Sequence, residues 1–207
     1  MKKLISIVLC LLMIAFVFAS CGSGTSDSTD ITQSAASAEH TKILFTMENG
    51  ETFTVETYPE YAPETCQNFV NLVNEGFYNG LTFHRIIPDF MAQGGDPKGD
   101  GTGGSSHNIK GEFAQNGFTQ NTLSHDRGVI SMARSNDMNS ASSQFFICYS
   151  GNHKASLDGK YAAFGKVIDG METVDNFLNV ERGYNPSEDA YSIPKEPIII
   201  KTAEVIK

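Results

Sequence analysis

The sequence predicts a mainly β domain whose strands close into an antiparallel barrel. Three observations predict it. Short runs of alternating apolar and polar residues recur along the chain, glycine-rich loops separate them, and only two segments carry helical spacing. The length of 207 residues, 40% of them hydrophobic, suits one core plus targeting sequence. No internal repeat is visible.

The first element lies outside the barrel. Residues 1–20 read as a signal peptide, with basic Lys2 and Lys3 followed by an apolar run of 16 residues from Leu4 to Ala19. That run is short of the roughly 20 residues that span a bilayer. It ends at Phe18-Ala19-Ser20-Cys21, which resembles a bacterial lipoprotein signal, where the cysteine is acylated, for instance with palmitate, and becomes the new N-terminus. Phe18 replaces the usual Leu of that pattern. Ordinary cleavage near Ala19 with Cys21 left as a thiol, or an uncleaved anchor, are the other readings. After Cys21, residues 21–41 are dominated by Ser, Thr, Ala, Gly and Asp, with Ile31 the only large aliphatic residue. Such a stretch cannot bury enough surface to offset its chain entropy, so it reads as a flexible tether.

The folded part is expected over residues 42–207. Ile43, Phe45 and Met47 alternate with Lys42, Leu44 and Thr46, and Phe53 and Val55 alternate with polar residues after Asn49-Gly50. This predicts a β-hairpin with a two-residue Asn-Gly turn, both residues at positive φ. Ala62, Cys66, Phe69, Val70 and Val73 recur at helical spacing, with Pro63 in the first turn and Gly76 at the stop. Further strands are predicted at Leu81–Ile87, Gly128–Ala133, Gln144–Tyr149, Ala162–Ile168 and Pro197–Val205, and a second helix near Met171–Leu178.

Charge and cysteine content exclude several function classes. The net charge is −9, and loss of the first 20 residues leaves 13 basic and 24 acidic residues, a net of −11. No cluster of Lys and Arg offers a nucleic-acid surface. Cys66 and Cys148 are the only cysteines of the folded part, and their apolar surroundings suit buried thiols better than a bridge or a metal site. His40 falls in the tether, and His107, His125 and His153 fall in loop-like stretches without metal-ligand spacing, so all four are expected to be solvated.

Three stretches are unusual for a structural β domain: Phe83-His84-Arg85-Ile86-Ile87-Pro88-Asp89-Phe90-Met91-Ala92-Gln93-Gly94-Gly95-Asp96, Gly128-Val129-Ile130-Ser131-Met132-Ala133-Arg134, and Ser142-Ser143-Gln144-Phe145-Phe146-Ile147. Each sets a polar donor among large apolar groups, as an apolar pocket with a few oriented hydrogen bonds requires. No serine elbow, zinc spacing or phosphate loop competes; Gly99-Asp100-Gly101-Thr102-Gly103-Gly104 lacks the Lys of a phosphate loop. The expectation is a site with no metal and no cofactor.

In this order the three stretches resemble the signature of cyclophilins, and Leu157-Asp158-Gly159-Lys160-Tyr161 with Phe164-Gly165-Lys166-Val167 resembles a fourth segment of that family. The resemblance runs from about Lys42 to the C-terminus. It implies a closed eight-stranded antiparallel barrel capped by two helices, and peptidyl-prolyl cis-trans isomerase activity. It implies catalytic roles for Arg85, Phe90 and Gln93, with Arg85 central. Met91, Phe146 and Leu157 then join Phe90 as walls of the proline pocket, Gln144 is a polar contact to substrate, and Ala133 pairs through its backbone with the residues before proline. Arg134 stands where relatives often carry Asn, so only its backbone role carries over. Tyr161 replaces a His of many relatives at the substrate pocket, and Ser156 replaces a Trp. The loss of that Trp implies weakened inhibition by cyclosporin.

Arg85 alone would read as a strand-end arginine in a surface ion pair; the accompanying Phe90, Met91 and Gln93 argue for the site. His84 is expected to be structural and bonded to backbone, because isomerisation moves no proton. The implied partners are proline-containing, unfolded or partly folded exported polypeptides, with the membrane met through a lipid anchor and the chain monomeric. A binding module with negligible turnover at the same groove is the main rival. A solute-binding lipoprotein is a weaker one, since the chain is short for two lobes.

Overall fold

The computed structural model describes residues 39–207. The predicted signal peptide, Cys21 and the tether up to residue 38 lie outside the described residues. Residues 39–41 do not behave as tether: Thr41 accepts a hydrogen bond from Thr57 N, and the His40 ring contacts Glu60 and Tyr58.

The first hairpin pairs β1 (Lys42–Met47) with β2 (Thr52–Thr57). Its turn differs from the predicted one. Gly50 has φ +86° while Asn49 does not take a positive φ, and Gly50 N bonds Met47 O as Met47 N bonds Glu51 O. This is a three-residue loop with glycine in the left-handed position. The other barrel strands are β3 (Thr82–Ile87), β4 (Met91–Asp96), β5 (Val129–Met132), β6 (Phe145–Cys148), β7 (Ala163–Asp169) and β10 (Ile198–Ile206). Eight strands close in the order β1-β10-β3-β4-β6-β5-β7-β2, with every neighbouring pair antiparallel. A separate hairpin, β8 (Arg182–Asn185) and β9 (Ala190–Pro194), is not predicted by the sequence. Tyr184, Tyr191 and Ile193 are exposed on it, so it lacks the buried alternation that marks a strand.

Three α-helices, rather than two, accompany the barrel: α1 (Pro63–Asn74), α2 (Lys154–Leu157) and α3 (Met171–Asn176), the last continued by a 3₁₀ turn over Phe177–Asn179. The short α2 has no periodicity to reveal it. At the end of α1, Gly76 N bonds Val73 O and Phe77 N bonds Leu72 O, with Gly76 at φ +69°, a Schellman motif. Its start has no capping side chain of its own. Instead the buried Glu112 carboxylate, 48 residues on in sequence from Glu64, accepts from Glu64 N, Thr65 N and Thr65 Oγ1. A negative charge there meets the positive end of the helix.

The barrel interior is filled by aromatic rings. Phe145 contacts Phe45, Phe69, Tyr78 and Phe83, the last edge-on at 5.7 Å. Phe45 stacks on Phe53 at 4.7 Å. The barrel is therefore a packed core, and any ligand must bind outside it. Cys66 and Cys148 are buried free thiols, and burial pushes both up to about 12.

Glu112→Ala should lower stability by roughly 2 kcal/mol, because it orphans two helix N–H groups and one hydroxyl. Urea unfolding followed by circular dichroism measures this, and an unchanged midpoint would show that α1 does not depend on the carboxylate.

Candidate active site

Strand alternation gives the barrel wall two apolar faces. On β6, Phe145 and Ile147 join the interior core, while Phe146 and Cys148 join a second cluster with Met91 and Leu157. Ile87, Phe90, Ala133 and Tyr161 pack against that cluster. On β4, Ala92 points inward and Met91 belongs to the outer cluster. By simple alternation from the inward Phe83, Arg85 would also point inward. The β3–β4 register shifts between Phe83 and Arg85, pairing Phe83 with Gly94 and Arg85 with Gln93. This bulge places the guanidinium outside while Ile86 returns to the core. Gln93 pairs in turn with Phe146, and Phe146 with Ser131, so Arg85, Gln93, Phe146 and Ser131 form one row across four adjacent strands.

The β3–β4 connection is a turn with Pro88 second and Asp89 third, Asp89 at φ +65°, closed by Phe90 N on Ile87 O. Phe90 O accepts from Tyr149 N, and the ring lies 4.6 Å from that of His153. Gly95 continues β4 at φ +82°, and a Cβ there would stand 2.5 Å from Ser143 O, so only glycine fits. The glycines that hide β4 from strand propensity are thus needed to bring Gln93 beside β6.

Polar groups in the row are linked with a defined polarity. Arg85 Nη1 donates to Gln93 Oε1 at 3.0 Å, Gln93 Nε2 donates to Gln144 Oε1 at 2.8 Å, and Gln144 Nε2 donates to Gly103 O at 2.7 Å and Gly101 O at 3.1 Å. Both ends of each amide are occupied, so Gln144 holds Gln93 and Gln93 holds Arg85. Arg85 Nε, sealed from solvent and without a well-formed hydrogen bond, has the Glu188 carboxylate beside it as an ion pair.

Arg85, Phe90, Met91, Gln93, Ala133, Phe146, Leu157 and Tyr161 surround a cavity of about 180 Å³. It is smaller than the roughly 300–1,000 Å³ of drug-sized sites and takes a single side chain. Tyr161 meets Phe146 edge-on at 6.0 Å. Arg134, expected to matter only through its backbone, also lines the cavity; its guanidinium lies 4.7 Å from the Tyr161 ring and 5.1 Å from Phe113. Nothing in the sequence alone marks that stacking. Ala133 N donates to Gln144 O, and no hydrogen bond among the described residues takes the Ala133 carbonyl. An adjoining cavity of about 250 Å³ runs along Gln93, Gly101–Gly103, Ala133–Ser135 and Gln144. Ser156 points its hydroxyl back to His153 O, so no aromatic group stands at its position.

Two histidines depart from expectation. His125 is 1% exposed, not solvated: its Nδ1 meets Asp158 at 2.7 Å, its Nε2 meets Ser131 Oγ at 3.0 Å, and its ring stacks against Phe146 at 6.0 Å. The Ser-His-Asp arrangement is not a hydrolytic triad, because Ser131 is fully buried and no substrate reaches it. It supports the row from behind. His84 makes no well-formed bond to backbone; both ring nitrogens are buried without a partner. His107 is exposed. Among the described residues no group of three or more His, Cys, Asp or Glu could hold a metal ion, and no helix is long and apolar enough to cross a membrane.

Residues 42–205 match the family of cyclophilin type peptidyl-prolyl cis-trans isomerases (CLD). The chain belongs to the cyclophilin family. Similar proteins agree with that assignment. Peptidyl-prolyl cis-trans isomerase B of Bacillus subtilis is 45% identical over 135 residues, covering 65% of this cyclophilin and 89% of the relative. Peptidyl-prolyl cis-trans isomerase-like 1 of Aspergillus niger is 45% identical over 167 residues, or 81% and 96% of the two chains. A crystal structure of a cyclophilin type isomerase from Cryptosporidium parvum superposes with a TM-score of 0.69 at 32% identity, covering 82% of this chain and 99% of the other. A second structure of that protein, in the presence of the dipeptide Ala-Pro, gives 0.68 at 33% identity over 80% and 99%. This cyclophilin is a peptidyl-prolyl cis-trans isomerase with the family's closed barrel.

Burial holds His84 and His125 below the usual histidine range, for His125 against the opposing pull of Asp158. Both are then neutral in the folded cyclophilin at a pH where the unfolded chain, titrating near about 6.5, begins to take up protons. Their contribution is complete above that value and is lost as pH falls through the lower folded values. Urea midpoints should therefore drop between about pH 7.5 and about pH 5, and His125→Gln should flatten the slope. A pH-independent midpoint over that range would contradict the assignment.

Proposed function

We propose that this chain accelerates the folding of exported proteins by rotating Xaa-Pro bonds outside the cytoplasm, with Arg85 as its central catalytic group and acyl chains on Cys21 holding it to the membrane. The observation that carries the mechanism is the Arg85 guanidinium, tied to Gln93 and facing an apolar cavity sized for one ring.

Rotation about a peptide bond meets a barrier of about 18–20 kcal/mol, because the nitrogen lone pair is delocalised into the carbonyl. Uncatalysed prolyl isomerisation therefore takes tens to hundreds of seconds. In the twisted transition state the delocalisation is lost, and the imide nitrogen becomes a better hydrogen-bond acceptor. A guanidinium aimed at it stabilises that state more than either ground state, which is the condition for acceleration. Phe90, Met91, Phe146 and Leu157 hold the ring, the Ala133 carbonyl pairs with the chain before proline, and the adjoining cavity receives that chain. No proton moves, so the buried neutral histidines take no chemical part.

Support for the location comes from the apolar run of residues 4–19, the small residues before Cys21 and the polar stretch that follows. A module that only holds proline segments would use the same pocket, but would have no need of a cation fixed at its wall.

With an Ala-Pro peptide in a proline-limited assay, Arg85→Ala should lower kcat/KM by about 10²-fold while the chain stays folded. Wild-type turnover near the uncatalysed rate would favour the binding module. Metabolic labelling with palmitate in bacteria should tag wild type and not Cys21→Ser; equal label in the two would contradict acyl anchoring at Cys21.

A further inference from the structure

The β8–β9 hairpin stands outside the barrel but lies beside β3, and its turn brings a carboxylate onto the central arginine. Glu188 forms an ion pair with Arg85 through Nε, and its second oxygen accepts from the fully buried Ser192 hydroxyl at 2.6 Å. Local bonds hold the turn itself. Ser187 N and Oγ donate to Asn185 Oδ1, Glu188 N donates to Asn185 O, and Tyr184 donates to Asp189. The chain Ser192, Glu188, Arg85, Gln93, Gln144 and the Gly101–Gly103 carbonyls is thus continuous, from the hairpin to the loop on the far side of the site.

We infer that Glu188 is a positioning residue for Arg85, and that the β8–β9 hairpin is a working part of the isomerase site. Gln93, with a weaker contact from Met91 Sδ at 3.8 Å, holds the guanidinium at Nη1 only, about which the planar group could still swing. A second hold at Nε, on a different edge, fixes the plane. The Nε atom has no access to solvent and makes no well-formed hydrogen bond, and Glu188 is the only carboxylate paired with Arg85 among the described residues. Water therefore does not compete with the carboxylate at that edge, and removal of Glu188 takes the paired countercharge away from a partly buried guanidinium. Both side chains are only partly exposed, 26% for Arg85 and 21% for Glu188, so solvent screens the pair less than a surface pair.

The carboxylate also weakens the field that the guanidinium presents to substrate, and the two effects oppose each other. Geometry decides between them. Glu188 engages the nitrogen that is sealed away, while Nη2 makes no hydrogen bond among the described residues and is left for the ligand. Holding the donor in place before substrate arrives is what orientation contributes to rate.

This inference rests on the reading of Arg85 as the catalytic group, so its test measures Arg85→Ala in parallel. In full-length protein in detergent, assayed with an Ala-Pro peptide, Glu188→Ala should lower kcat about tenfold with KM within about twofold, since the proline pocket is untouched. Glu188→Asp keeps the charge and should recover activity to within about threefold of wild type, while Glu188→Gln, which loses it, should resemble Glu188→Ala. Ser192→Ala should give a smaller loss in the same direction. The Arg85 Nε–H correlation in ¹⁵N–¹H spectra should be single and sharp in wild type and Glu188→Asp, and broadened in Glu188→Ala. Glu188→Ala turnover equal to or above wild type, or Glu188→Asp no more active than Glu188→Ala, would overturn the inference. If Arg85→Ala itself keeps wild-type turnover, the reading of Arg85 fails instead.

Discussion

The bulge between Phe83 and Arg85 is the constraint on which the site depends. A strand whose residues alternate strictly could not place Phe83 and Ile86 in the barrel and Arg85 outside it beside Gln93. The extra residue, His84, absorbs the change of parity, and its cost is visible in two ring nitrogens buried without partners. Such a cost persists only where surrounding structure over-determines it. Here the Phe83 and Ile86 anchors on one face, and the Gln93 bond on the other, supply that determination.

From that geometry the division of labour follows. The inner face of the wall is a packed aromatic core that gives rigidity, and the outer face carries the cavity, so core and cavity use opposite sides of the same strands. Phe146 shows the economy of the arrangement. It is a pocket wall in front, and behind it His125 stacks, itself held by Asp158 and Ser131. Burial disfavours ionisation of Asp158, yet hydrogen bonds from His125 and Ser124 outweigh this and keep its carboxyl below the usual range. The site thus combines an apolar receptacle with oriented donors in a region of reduced dielectric, where each hydrogen bond is worth more than in water.

How far the sequence discloses this depends on whether a residue's role is local. β1, β2 and α1 are legible because their burial repeats with period two or 3.6. β4 is not, because Gly94 and Gly95 contribute no side chain to a pattern, although their lack of Cβ is what the close strands require. The β8–β9 hairpin escapes because its apolar residues are exposed. His125 reads as a loop residue since its partner Asp158 lies 33 positions away, and Glu188 carries no local signal at all, as its meaning resides in contact with Arg85. Arg85, Phe90, Met91, Gln93, Phe146 and Leu157 were named through the resemblance of ordered segments to a family. Only the register of four strands explains why those segments meet.

The action proposed for Arg85 is on the transition state rather than on binding. Exchange NMR with an Ala-Pro peptide at equilibrium separates the two, since it reports binding shifts and cis–trans exchange in one experiment. Wild type and Arg85→Ala should bind the peptide with similar affinity through Phe90, Met91 and Phe146, while exchange cross-peaks should appear with wild type alone. Exchange that survives in Arg85→Ala, or that disappears only in proportion to lost binding, would contradict that action.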